Sequence, residues 1–239
     1  MRTQIRKAVG IGALLLAGCA TTAPVPESPA KPVTSAVVQA TDPTVVEPPL
    51  SDEPRTAPST TDAGEHLVGA VPLNWVPVSV TATPALHLAV YQPPDDTPDD
   101  TGWTEKLSIE KLTGTPVPDP LEFLAALKEE TAESCADSAF HPVSSGVENG
   151  YPTAVALLVC PKLSLTEAGQ MTMVKVVQGN AAFYSITRAV RTPVMTRNAD
   201  GEPQQPDGAK EQIGGMSLYL RAMTVCEPGS TAHPCPETD

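Results

Sequence analysis

Between residues 20 and 63 the chain carries nine prolines (Pro24, Pro26, Pro29, Pro32, Pro43, Pro48, Pro49, Pro54, Pro58), and no Trp, Tyr or Phe occurs before Trp75. Such a stretch cannot bury enough apolar surface to offset its chain entropy. It is expected to be a disordered, extended tether rich in Pro, Thr and Ala. Roughly 44 residues at ~3.1 Å each reach on the order of 100 Å at full stretch. Folding is therefore confined to the remainder of the chain, from about Leu67 to Cys235. At roughly 170 residues this is the size of one domain. The expected division is 1–18, 19–66 and 67–239, the last a single α+β domain with a short C-terminal tail.

The first residues read as an export signal. Arg2, Arg6 and Lys7 form a positive start, and the apolar run from Ala8 to Ala17 is too short to span a bilayer. Leu16-Ala17-Gly18-Cys19 resembles a lipobox. The resemblance implies cleavage before Cys19, a diacylglycerol on its thiol and an acyl chain, such as palmitate, on its new amine. A secretory signal cut near Ala20 is the rival reading. A retained membrane helix is disfavoured because Pro24 and Pro26 break it. Ala20, standing where an inner-membrane retention signal has Asp, fits outer-membrane sorting better than inner. The expected location is the bacterial cell envelope, facing the periplasm or the surface.

Charge sharpens the partner classes. The chain has 15 basic and 28 acidic residues, and three of the basic ones lie in the first 18. Residues 19–239 carry 12 basic against 28 acidic residues, a net of −16. Such a chain repels nucleic acid and anionic headgroups, so no nucleic-acid partner is expected and lipid must do the anchoring. Four cysteines remain beyond Cys19: Cys135, Cys160, Cys226 and Cys235. In an exported protein they read as two disulfides, with three connectivities open. Cys135–Cys160 with Cys226–Cys235 is favoured, the second closing a short loop with Pro228, Gly229 and Pro234. A metal site at Cys226, His233 and Cys235 is the competing reading. It lacks a fourth ligand and the usual spacing, so no metal and no cofactor are expected.

Strands are expected at Trp75–Thr81, Leu86–Tyr91 and Glu105–Thr113. A helix comes next, with Asp119 as cap, Pro120 in the first turn and Glu122 completing a capping pattern. Leu121, Leu124, Leu127, Thr131 and Cys135 share one face. Asn149-Gly150 joins strands Phe140–Glu148 and Tyr151–Cys160, since a type I′ turn takes positive φ at both positions. Val155 to Val159 is apolar on both faces and is expected to be a central strand. Met171–Gln178 and Ala181–Arg191 form another hairpin, with Met171, Met173, Lys175 and Val177 on one core face. A helix from about Ala209 to Met223 ends the pattern, its stripe being Ile213, Met216, Leu220 and Met223.

Three segments then carry a resemblance. Trp103-Thr104-Glu105-Lys106-Leu107-Ser108-Ile109, Asn149-Gly150-Tyr151-Pro152 before an apolar strand, and Cys226 with His233-Pro234-Cys235-Pro236 resemble a group of uncharacterised bacterial envelope lipoproteins related to the PsbP-like fold. That fold includes an extrinsic photosystem II subunit and a eukaryotic Ran-binding protein. The resemblance covers about Leu67 to Cys235. It implies an antiparallel sheet sandwiched by helices, and binding or assembly roles without implying an activity.

Chemistry is sparse. No G-x-S-x-G elbow, P-loop, H-E-x-x-H or CxxC occurs. His66, His87, His141 and His233 have no evident partners, and Ser144 and Ser145 beside His141 alternate faces and cannot build a triad. Asp95, Asp96, Asp99 and Asp100 miss the Ca²⁺-loop pattern at Pro98. Trp75 and Trp103 are the binding candidates. The reading is a non-enzymatic, lipid-anchored protein that binds or helps assemble another envelope component, an envelope protein being the expected partner. A hydrolase-type enzyme with a hidden site is the alternative.

Overall fold

The computed structural model describes residues 64–97, 102–114, 116–135, 137–199, 201 and 203–236. The signal, Cys19 and the Pro-rich stretch lie outside them. Along the chain come β1 (His66–Val68), β2 (Val76–Ala82), β3 (Leu86–Gln92), β4 (Glu105–Thr113), α1 (Pro120–Ser134), β5 (Ala139–Glu148), β6 (Tyr151–Cys160), β7 (Gly169–Gln178), β8 (Ala182–Thr192), α2 (Ala209–Ala222) and β9 (Thr224–Cys226).

Seven strands make one antiparallel sheet in the order β2-β3-β4-β8-β7-β6-β5. Strand alternation sends neighbouring side chains to opposite faces. Along β7, Met171, Met173 and Val177 enter one core with Met216 and Leu220 of α2 and Met223 just past it. Val174 and Val176 enter the other with Leu124 of α1. The two helices thus cover opposite faces, giving an α+β sandwich of three layers.

Local chemistry sets the element ends. The Asp119 carboxylate accepts from the N–H of Leu121 at 2.8 Å and of Glu122 at 3.1 Å, capping α1. Asn149 and Gly150 both have positive φ, 49° and 83°, in the tight β5–β6 turn. Asn149 also reaches beyond its turn. Its Nδ2 donates to Val225 O at 2.8 Å and to Pro234 O at 3.1 Å, holding the C-terminal segment.

Two expectations need correction. Leu121 is 58% exposed, and the inward stripe of α1 is Pro120, Leu124, Leu127 and Thr131 instead. Cys135 does point inward at the helix end: it is buried as the C-cap, with its N–H on Thr131 O at 2.9 Å. β6 is not central, because β8 holds the middle and β6 lies beside the edge strand β5. Apolar character on both faces of β6 reflects cover from layers above and below, which a strand next to an edge can also have.

One pairing had no local signal. β1 and β9 form a separate two-stranded sheet, His66 opposite Cys226, Leu67 opposite Val225 and Val68 opposite Thr224. Glu65 joins this unit upstream of Leu67. Its carboxylate accepts the Asn180 N–H at 2.5 Å, and its carbonyl accepts the Tyr184 hydroxyl at 3.0 Å.

Candidate functional site

The α1 face of the sheet is unevenly filled. On β8 the residues facing α1 are Phe183, then the short Ser185, Thr187 and Ala189. At the Phe183 end the helix packs closely, with the Phe123 and Phe183 rings 4.8 Å apart. At the other end α1 carries Thr131 and Ser134, and beneath them lie Ser108, Thr172, Thr187 and Ala189. Short side chains above and below do not meet. They leave a cavity of about 120 Å³.

Its end is closed by a disulfide. Cys135 and Cys160 are bonded, with Cα atoms 5.9 Å apart, fixing the end of α1 to the end of β6. Ser164 adds a second tie, its hydroxyl donating to Ser134 O at 2.5 Å. The pocket therefore sits under a helix end that is held at a set height. Much of its polar lining is already satisfied. The Thr131 hydroxyl donates to Leu127 O at 2.8 Å, the Ser134 hydroxyl to Thr131 O at 3.2 Å, and Gln170 Nε2 to Thr172 Oγ1 at 2.7 Å. What the cavity offers a visitor is mainly apolar surface.

Trp103 forms a wall of this pocket and is buried. Lys106 Nζ lies 4.6 Å and the Arg191 guanidinium 4.5 Å from its ring centroid. These cation–π contacts hold the indole and give an otherwise acidic chain a local basic rim. Trp75 is elsewhere. It packs, half-buried, against the α2-side core, where Arg188 lies 5.6 Å over its ring and 5.3 Å over that of Tyr219. Arg188 also pairs with Glu105 at 2.8 Å. The two tryptophans thus belong to opposite faces of the sheet, and Trp103 is the one that lines this pocket. The pocket was not legible in the sequence. Its one available signal was the run of short side chains at alternate positions of β8 beside Ser108.

The histidines do not assemble a catalytic group. His87 and His141 make no side-chain hydrogen bond among the described residues, and His141 is exposed on β5 with Ser144 and Ser145. The Cys226–His233–Cys235 set is not formed either. His233 stacks on Tyr151 at 4.1 Å, and its Nδ1 bonds Asn149 O at 2.9 Å. The imidazole beside Cys226 and Cys235 is that of His66, and the two cysteines are joined as a disulfide. Of the aspartates before Trp103, Asp96 accepts the N–H groups of Thr104 and Glu105 at 2.6 and 3.2 Å. It closes that loop onto β4, while Asp99 and Asp100 lie outside the described residues.

Titration points the same way. Burial raises the Glu110 carboxyl above the usual carboxylate range. Burial, with the nearby Glu65 and Glu227 charges, pushes the Tyr151 phenol up to about 12. Tyr184 and Tyr219 are raised chiefly by burial too. These are packed groups, and no nucleophile is paired with a base among the described residues. The arrangement can hold an apolar group and exclude water from it.

No family model matches the chain, and no curated protein matches it. Similar solved structures include LpqN of Mycobacterium tuberculosis, involved in cell envelope biogenesis, at 17% identity and TM-score 0.40, covering 71% of this chain and 88% of that one. The Ran-binding protein Mog1p of Saccharomyces cerevisiae gives 12% identity and TM-score 0.45, covering 73% and 96%. The cyanobacterial PsbP of Synechocystis gives 11% identity and TM-score 0.41, covering 71% and 96%. These are loose likenesses between arrangements of elements, and no function passes from them to this chain.

Proposed function

We propose that this is a lipid-anchored envelope protein whose domain binds a protein partner through the pocket beneath α1. The pocket is the observation that carries the reading. An apolar cavity near 150 Å³ accepts a molecule the size of benzene. A cavity of about 120 Å³ therefore suits one apolar side chain, such as Leu or Phe, and is far too small for a whole acyl chain. A single buried anchor within a polar rim is the usual centre of a protein interface. The lipobox-like Leu16-Ala17-Gly18-Cys19 supports the anchor, and the acidic chain supports attachment by lipid over attachment by charge.

The test is photocrosslinking in the native host. A photoreactive residue at Leu127, which lines the pocket, should capture an envelope protein. The same residue at the exposed Leu218 of α2 should not. Ala189→Leu fills the cavity from its floor and should abolish the Leu127 adduct while the protein stays folded. A lipid adduct at Leu127 would assign the pocket to a lipid ligand. Equal capture at both positions, or capture that survives Ala189→Leu, would sink the proposal.

A further inference from the structure

Apart from the pocket, a second cluster of chemically active groups lies where the first and last strands of the described residues pair. In the β1–β9 ladder His66 stands opposite Cys226, so register alone brings the imidazole to the sulfur. His66 Nδ1 bonds the Gly64 carbonyl at 3.0 Å. A carbonyl only accepts, so Nδ1 carries the proton and Nε2 is left with its lone pair. That Nε2 lies 3.9 Å from Cys226 Sγ and 4.0 Å from Cys235 Sγ. A histidine whose far nitrogen donates to a carbonyl is oriented as metal-ligating histidines are.

We propose that reduction of the Cys226–Cys235 disulfide turns this cluster into a site for a thiophilic metal ion, held by both sulfurs and by His66 Nε2. A tetrahedral zinc ion has Zn–S near 2.3 Å and Zn–N near 2.0–2.1 Å, which sets its donors roughly 3.5–3.8 Å apart. The two nitrogen–sulfur distances already lie close to that spacing. Only the sulfurs must separate, by about 1.7 Å. Two thiolates and an imidazole are a soft set that favours zinc or cuprous copper, and the fourth position stays open.

Other bonds keep the donors together once the S–S bond is gone. Glu227 N–H donates to His233 O at 2.8 Å across the loop, and Asn149 Nδ2 donates to Pro234 O at 3.1 Å. β9 holds Cys226 on the opposite side. Access is one-sided, because Cys226 is fully buried and Cys235 is half-exposed. A thiolate of an external dithiol attacks Cys235 Sγ, the S–S bond breaks, and its electron pair leaves on Cys226 Sγ. The second thiol of the reductant attacks the mixed disulfide and releases Cys235. Two electrons and two protons have passed to the protein, and the reductant is left as a disulfide. The metal ion then binds both thiolates and Nε2, and the two thiol protons go to solvent.

Cobalt(II) is the probe, added under argon to the purified full chain after reduction with a dithiol. The reduced protein should take up one equivalent. It should show a thiolate-to-cobalt charge-transfer band and the visible bands of a tetrahedral ion, and the oxidised protein should show neither. His66→Ala should weaken binding by about tenfold or more, at least what losing a supporting residue costs a metal site. His233→Ala should leave the spectrum unchanged. The Cys226→Ser/Cys235→Ser variant should lose it even with Cys135 and Cys160 reduced. Absence of the bands in reduced protein, retention in that double variant, or indifference to His66→Ala would overturn the proposal. Near-ultraviolet circular dichroism covers the case in which reduction unfolds the domain. Cobalt then bound by a loose chain would ignore His66→Ala and also count against it.

Discussion

Glu110 shows what one buried charge does to this domain. It lies on β4 two residues from Ser108, on the same α1-facing side, opposite Ser185, and is only 8% exposed. Burial disfavours its ionised form and raises its pKa above 4.5. The folded state therefore binds this proton more tightly than the unfolded state. The stability linked to it is fully present below the unfolded value and is lost as pH rises through the folded one. Glu110→Gln should raise the melting temperature at neutral pH, and the gain should fade as pH falls toward 4.5 and be gone below it. Melting curves across that range check it, and a gain independent of pH would refute the assignment to charge. Lys175 shows the limit of sequence reading at this scale. Alternation places it on the face of Met171, Met173 and Val177, and the structure buries it there at 1% exposure. Its three donors go to Glu148 Oε1 at 2.6 Å, Leu220 O at 3.1 Å and Met223 O at 2.6 Å. Position was legible from period two, whereas the partners that make a buried lysine tolerable lie up to 48 residues away.

Among the elements, the ends of α1 have the most influence on the pocket. Removing the Cys135–Cys160 bond by Cys135→Ser/Cys160→Ser frees a loop of 25 residues. On the chain-entropy model this costs about 3–4 kcal/mol, against about 2.5 kcal/mol for the nine-residue spacing of Cys226 and Cys235. Denaturant titration should show the larger loss for the first pair, and non-reducing peptide mapping should recover both linked peptides. The reverse ranking would mean that packing around β9 outweighs loop length. The cap at Asp119 and the turn at Asn149-Gly150 could be read directly, because their chemistry is complete within a few residues. The pocket could not. Ser108, Thr172, Thr187 and Ala189 come from three strands, and only register makes a cavity of them. The place of β6 in the sheet was misread for a related reason, since hydrophobicity records what covers a strand and not what lies beside it.

For the whole molecule, the lipobox reading predicts that Cys19→Ala moves the protein from the membrane to the soluble fraction. Pelleting of the variant with membranes after a high-salt wash would contradict a lipid anchor. The strands and helices were legible in their periods and the sandwich in the resemblance, but the joining of the first and last described strands was not. Three residues at His66–Val68 carry too little pattern to reveal partners at Thr224–Cys226. That joining has a mechanical consequence. Tension on the chain before Gly64 enters the fold at Glu65, passes to Asn180 and Tyr184, and loads β1 against β9. From there the Cys226–Cys235 bond carries it into the C-terminal segment. This load path runs through the α2-side core, to which Leu67 and Val225 belong. The cavity lies across the sheet, on the α1 side, bounded by its own disulfide. A pull on the chain before Gly64 is therefore borne by one layer while the shape of the pocket is kept by another.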